Sequence, residues 1–245
     1  GKTAGISINA DLTLTMGYPK NGHLLNDGIY ASGELHNLDI EFTELHLKPP
    51  TTKLLKLEDI AELIQPYPVD THKYSRGKVG VYAGSVGMTG AGILSANSTL
   101  KAGAGITRIV IPKSLNPVFE QNLVEVITEP VNDNDLGFLS VDNLYELENL
   151  TAWCDCLVCG PGLSPEQESI ILIQSVLTKY KKPLILDGTG FKPISDCLMS
   201  ISELSQNTIL TPHYAEFAAM FNTNIDEVKD NPIAAVKGII PNLNG

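Results

Sequence analysis

Residues 77–105 read GKVGVYAGSVGMTGAGILSANSTLKAGAG, and this stretch decides the fold. An apolar run at 79–83 ends in a glycine-rich loop, GSVGMTG, from Gly84 to Gly90. A helical stretch of small residues follows at 90–102. A strand that passes through a bare turn into a helix is a building unit of parallel sheets. The pattern continues downstream. Apolar runs at 106–111, 124–128, 156–159, 183–186 and 208–211 alternate with helical stretches at 114–121, 165–179, 193–204 and 212–221. The alternation predicts an α/β protein with a parallel sheet covered by helices on both faces. Ligands of such sheets bind beyond the carboxyl ends of the strands, where loops lead into helices.

Four loops at predicted strand ends carry chemistry. The first, Gly84 to Gly90, is not a P-loop, because no Lys-Ser/Thr follows the glycines. Its spacing is not the dinucleotide fingerprint either. Glycine lets backbone amides approach a ligand closely, and Ala91, Gly92, Ser95, Ala96 and Ser98 keep the next helix slim. A tight strand–helix turn explains the same residues. The second loop is GPGLSPEQ, Gly160 to Gln167. Ser164 is the expected N-cap, with Pro165 at the first helical position and Gln167 completing a capping box. Gly160 and Gly162 are not needed for that cap and are expected to leave their amides open. In the third loop, LTPHYAEF, Thr211 is the expected cap and His213 falls in the first turn. There His213 can donate to an anion, or it is an exposed side chain with no task. Glu216 reads as a solvated helix-surface carboxylate. The fourth, LDGTGF, places Asp187 at the end of PLIL. Its carboxylate can face the crevice, hold Mg²⁺-bound water or a hydroxyl, or cap the next turn. Together the four loops describe one amide-lined crevice suited to a phosphate-bearing ligand, with Gly84, Ser85, Gly90, Gly160, Asp187 and Glu216 as lining candidates.

The whole chain bounds the function. Its 245 residues are 43% hydrophobic with a net charge of −11, which disfavours a nucleic-acid partner. No apolar stretch reaches the ~20 residues of a membrane span. Three of the four cysteines fall in WCDCLVCG. That segment reads as a buried strand, on which Cys156 and Cys159 point apart, rather than as a metal site. The composition fits a reducing, cytoplasmic setting. Strands are also expected at 8–17 and 34–42, with a loop at 18–33 and a short helix at 57–64. The chain opens without Met and reads as a fragment.

The ordered set HKYSRG, VYAGSVGMTGAGILSA, LKAGAG, VCGPGL, LILDGTGF and ILTPHYAEF resembles the ADP- or ATP-dependent NAD(P)H-hydrate dehydratase family over residues 55–245. Residues 9–40, NADLTLTMGYPKNGHLL and YASGELHNLDI, resemble the closing strands of the NAD(P)H-hydrate epimerase domain that precedes it in bifunctional members. The resemblance implies a three-layer ribokinase-like fold preceded by the last strands of a Rossmann-like epimerase domain. The implied division is residues 1–45 for the epimerase end, 46–56 for a linker and 57–245 for the dehydratase. It also implies phosphorylation of the ring hydroxyl of NADH or NADPH hydrate by ADP or ATP, with Mg²⁺, followed by loss of phosphate. On the matching motifs Ala91, Gly162 and His213 contact the hydrate, and small molecules are the only partners implied, with homo-oligomerisation left open. The chain departs from the family at LDGTGF, where LDADAL is usual, and at Tyr74, where a glycine is usual. The family's nucleotide-binding Lys-Gly strand and its Gly-Thr-Gly-Asp motif, with the catalytic Asp, are expected beyond Gly245. The isolated chain is therefore expected to have little turnover and no assigned Mg²⁺ ligand. A small-molecule kinase of the same fold and a non-catalytic nucleotide-binding remnant are the alternatives.

Overall fold

The computed structural model describes residues 2, 3, 5–41, 52–61, 63, 64 and 66–240. The chain divides into two compact units, Gly1–Tyr67 and Pro68–Gly245. The expected linker at 46–56 lies partly outside the described residues. The expected helix at 57–64 is described as helical over Leu57–Ala61 (α3), within the first unit.

In the first unit, β1 (Leu12–Met16) and β2 (Glu34–Leu38) pair in parallel, Leu12 opposite Glu34 and Met16 opposite Leu38. The expected loop at 18–33 is corrected: it contains two short helices, α1 (Asn21–Leu24) and α2 (Asp27–Ala31). Parallel pairing supplies the reason, since the chain must cross back over the sheet before its second strand begins. One side of β1 is covered, with Thr15 buried and the Thr13 hydroxyl donating to the Ser32 carbonyl at 2.6 Å. The other side presents Leu12, Leu14 and Met16, each at least half exposed.

The second unit is built on six parallel strands: β3 (Lys78–Tyr82), β4 (Ile106–Pro112), β5 (Ile127–Val131), β6 (Cys156–Cys159), β7 (Leu184–Leu186) and β8 (Thr208–Leu210). Their order is β5-β4-β3-β6-β7-β8. The principal helices are α4 (Thr89–Lys101), α5 (Asn116–Asn122), α6 (Leu144–Trp153) and α7 (Gln167–Lys179). Alternate strand residues feed two cores, as a period of two requires. Tyr82, Leu157, Cys159, Leu184 and Leu186 pack with Leu147 and Leu150 of α6 and Leu172 and Ile173 of α7. Val81, Ala83, Ile109, Ile111 and Val158 pack with Ala96 of α4 and Phe119 of α5. Helices therefore cover both faces, as the alternation predicted.

Three elements depart most from expectation. The run at 124–128 is displaced to 127–131, because pairing with β4 begins at Arg108 opposite Ile127. Val124 is left 93% exposed, and β5 is an edge strand, which tolerates its Pro130. The helix expected at 193–204 breaks into α8 (Lys192–Ser195) and a 3₁₀ turn at Ile201–Glu203. Cys197 adopts φ +57 between them, and the Ser200 hydroxyl starts the turn by accepting from Ser202 N at 3.3 Å. Helix α6 had no counterpart in the sequence reading. After β8, α9 (Tyr214–Met220), α10 (Ile225–Asp230) and α11 (Pro232–Ile239) complete the described chain.

Candidate substrate crevice at the sheet switch point

The strand order reverses at β3. The chain runs from β3 outward through β4 to β5, then returns to β6 on the other side of β3. Between β3 and β6 the loops diverge, and that is where open parallel sheets form a ligand crevice. The loop at Gly84–Met88 leaves β3 and leads into α4, and the loop at Gly160–Leu163 leaves β6. The sequence therefore put its two barest loops on the two walls of the switch point.

The walls are joined. Gly84 N donates to Pro161 O at 2.8 Å, and Gly160 N donates to Tyr82 O at 3.0 Å. The buried Ser85 hydroxyl donates to Gly162 O at 2.9 Å. Ala91 and Gly162 face one another: a Cβ on Gly162 would lie 2.8 Å from that of Ala91 and 2.7 Å from Met88 O. Gly162 also holds φ +63, a conformation open to glycine at little cost. Two of the three residues implied to touch the hydrate thus stand together. The expectation of open amides is corrected in part. Those of Gly84 and Gly160 are engaged across the crevice floor, whereas those of Gly90 and Gly162 have no acceptor among the described residues.

The neighbouring strands continue the rim. A Cβ on Gly160 would lie 1.8 Å from Asp187 O, so the β6 and β7 loops are closely packed. Asp187 does not cap the 3₁₀ turn that follows it. Its carboxylate accepts the Thr211 hydroxyl at 2.7 Å, tying the β7 end to the β8 end. Thr211 is therefore not the helix cap that was expected. His213 is: its Nδ1 accepts from Ala215 N and Glu216 N, each at 3.2 Å, while Glu216 Oε2 accepts His213 N at 2.8 Å. Glu216 is correspondingly no idle surface carboxylate. No hydrogen bond joins His213 directly to Ala91 or Gly162 among the described residues.

The Ser164 expectation is also corrected. Its hydroxyl accepts Glu166 N at 3.2 Å, Glu166 occupies the cap position, and α7 begins at Gln167. Pro165 consequently lies in the turn before the helix.

Sequence reasoning missed two supports. Val86 N donates to Gly137 O at 2.7 Å, so the 133–137 turn braces the first loop. That turn is held by buried Asp133, which accepts Gly137 N at 2.8 Å and the Ser114 hydroxyl at 2.5 Å. Burial alone would raise the Asp133 pKa, but these hydrogen bonds outweigh it and hold the carboxyl below its usual range. The polar run at 132–135 gave no sign of this. Thr211 is the second, read as a cap when its hydroxyl reaches sideways.

Cys156 and Cys159 lie on β6, below the loop that leaves it. Cys159 is fully buried and its thiol is pushed up to about 12 by burial, which suits packing rather than ligation. Leu157 and Cys159 share one core while Val158 joins the other, the expected alternation. A depression of about 460 Å³ lined by Lys181, Ser205 and Asn207 opens at the opposite, amino-terminal edge of β7 and β8. The crevice residues have no part in it.

A family model described as NAD(P)H-hydrate dehydratase matches residues 79–245. The chain belongs to the NAD(P)H-hydrate dehydratase family. A bifunctional NAD(P)H-hydrate repair enzyme from Thermofilum pendens is 32% identical over 235 residues, covering 96% of this chain and 44% of that protein. An ATP-dependent (S)-NAD(P)H-hydrate dehydratase from Drosophila pseudoobscura is 28% identical, covering 70% of this chain and 56% of the other. The chain thus spans less than half the length of its bifunctional relatives. Two solved structures share the fold of this dehydratase-family chain. One is a ribokinase-like superfamily protein from Enterococcus faecalis, with TM-score 0.65, 21% identity, and coverage of 79% and 66% of the two chains. The other is the ADP/ATP-dependent NAD(P)H-hydrate dehydratase from Bacillus subtilis co-crystallised with ATP/Mg²⁺, with TM-score 0.62, 22% identity, and coverage of 76% and 62%. Among the described residues no helix is long and apolar enough to cross a membrane.

Proposed function

We propose that the crevice binds the hydrated nicotinamide of NADH or NADPH hydrate, and that the protein restores the dinucleotide by ADP- or ATP-dependent dehydration in the cytoplasm. The juxtaposition of Ala91 with Gly162 at the switch point carries this reading. From β3 to β8 the rim covers three interstrand steps of ~4.8 Å each. An elongated ligand fits that span, with its ring against the wall formed by Ala91 and Gly162 and another part near His213. Gly90 N and Gly162 N are placed to donate to the ligand. Ser85 holds Gly162 in position, and Asp187 with Thr211 fixes the rim between them.

A bound nucleotide supplies the phosphoryl group: the ring hydroxyl gives up its proton and its oxygen bonds to the terminal phosphorus as the nucleotide's own P–O bond breaks and the shortened nucleotide leaves. Phosphate then leaves with the C–O electrons, the neighbouring ring carbon loses a proton, and the double bond returns. Phosphate leaves far more readily than hydroxide, so consuming nucleotide drives the dehydration. Among the described residues no group of three or more His, Cys, Asp or Glu is gathered. No residue is therefore assigned to Mg²⁺ and no step is routed through it; Mg²⁺ commonly takes most ligands from water and phosphates.

The names of the bifunctional relatives, and a match that reaches across 96% of the chain, support a second assignment. Residues 1–45 form the closing part of an epimerase domain, 46–56 a linker and 57–245 the dehydratase domain. The parallel β1–β2 pair with its helical crossover, and an apolar face of Leu12, Leu14 and Met16, suit a piece of a larger parallel sheet.

Titration of the chain with NADH hydrate and with NADH tests the reading. Saturable binding of the hydrate, weakened in His213→Ala, is expected. Equal affinity for NADH and its hydrate would show that the crevice does not recognise the hydrated ring.

A further inference from the structure

Glu216 surrounds His213. Its amide donates to His213 Nδ1 at 3.2 Å, its Oε2 accepts His213 N at 2.8 Å, and its Oε1 lies 3.3 Å from His213 Nε2. Ala215 N, also 3.2 Å from Nδ1, adds a second donor to the same ring atom. Two N–H groups aimed at one nitrogen require a lone pair there, so the ring proton belongs on Nε2. A carboxylate oxygen beside Nε2 favours the same tautomer.

We propose that Glu216 is a positioning residue that orients the His213 ring, whose tautomer the two backbone amides select, so that the crevice presents an Nε2–H donor. The inference rests on the proposed substrate contact of His213 and adds a specificity: the atom read by His213 is a hydrogen-bond acceptor. The ring is exposed enough for this, with 68% of its side-chain surface open, whereas the Glu216 side chain is 23% open. A substrate oxygen can share the Nε2–H with Glu216 Oε1 without disturbing the cap at Nδ1. A substrate N–H or O–H donor finds no free lone pair on the ring itself, because the one at Nδ1 is shared by two backbone amides.

The test uses the 245-residue chain with ¹⁵N-labelled histidine rings, read by two-bond proton–nitrogen correlation at neutral pH, with His213→Ala to identify the resonances. The proton is expected on Nε2 of His213. In Glu216→Ala both backbone amides still face Nδ1, so the proton is expected to stay on Nε2 while affinity for NADH hydrate falls about tenfold, the scale of one charge-assisted hydrogen bond. Glu216→Gln keeps a carbonyl for His213 N but sets an NH2 donor against Nε2–H, so it is expected to retain the helix cap without restoring the affinity. A proton on Nδ1 in the unaltered chain overturns the proposal, as does unchanged affinity in Glu216→Ala or affinity fully restored in Glu216→Gln. Unchanged hydrate affinity in His213→Ala instead removes the substrate contact and the specificity, while the ring spectra still decide the tautomer.

Discussion

Gly162 is the residue on which the crevice turns. At φ +63, with Met88 O and Ala91 in the way, any side chain there strains the loop and fills the space between the walls. Gly162→Ala is expected to destabilise the second unit by about 1–3 kcal/mol and to abolish hydrate binding. An unchanged melting temperature would show that the loop relaxes freely. Ser85→Ala acts on the same contact from the other wall: it leaves Gly162 O without its donor, at a cost of about 1–3 kcal/mol, measurable by urea unfolding. Asp133 adds a pH dependence. Its carboxyl is held below the ordinary value of about 3.9, so its contribution is complete above that value and fades as pH falls through the lowered one. Chain stability should therefore decline below about pH 4, and Asp133→Asn should flatten that slope. An equally steep decline in the variant would assign it to other carboxylates.

Helix α5 shows how an element shapes a loop it does not contain. Its Phe119 is fully buried, and the space next to Gly84 and Gly92 is filled by its ring. Phe119→Ala should cost about 3–5 kcal/mol and loosen the Gly84–Gly90 loop, visible as faster amide exchange there. Slow exchange retained at Gly84 and Val86 would mean the loop is held by its hydrogen bonds alone. At this scale the sequence was readable where apolar runs were continuous, as in β3, β4 and β6. It was opaque where polarity carried the information. Helix α6 places Leu147 and Leu150 in the core, yet Tyr145 on the same helix is 71% exposed, so no clean apolar stripe marks it. The break after α8 depends on a left-handed Cys197 and a restart at Ser200, neither of which an apolar period records. The crevice was readable from its glycines, since bare loops at strand ends have few uses. Its lateral ties were not: Thr211 to Asp187 and Ser85 to Gly162 join residues 24 and 77 positions apart.

Across the whole molecule, the site follows from topology. One reversal of strand order at β3 sets the two glycine loops face to face, and the following strands extend the rim toward His213. Buried thiols beneath it should be silent: Cys154 and Cys159 are fully buried and their thiols are raised by burial, whereas Cys197 is exposed. A thiol reagent should therefore modify Cys197 first in the folded chain, as peptide mapping would show; early modification of Cys159 would contradict the packing of β6. The central claim is that the switch-point crevice receives the nicotinamide hydrate. Its most direct test is an amide chemical-shift titration of the chain with NADH hydrate. The account predicts shifts concentrated at Gly84–Ala91, Gly160–Leu163 and His213–Glu216. Shifts confined to Lys181 and Ser202–Asn207, around the depression at the opposite edge, would contradict it.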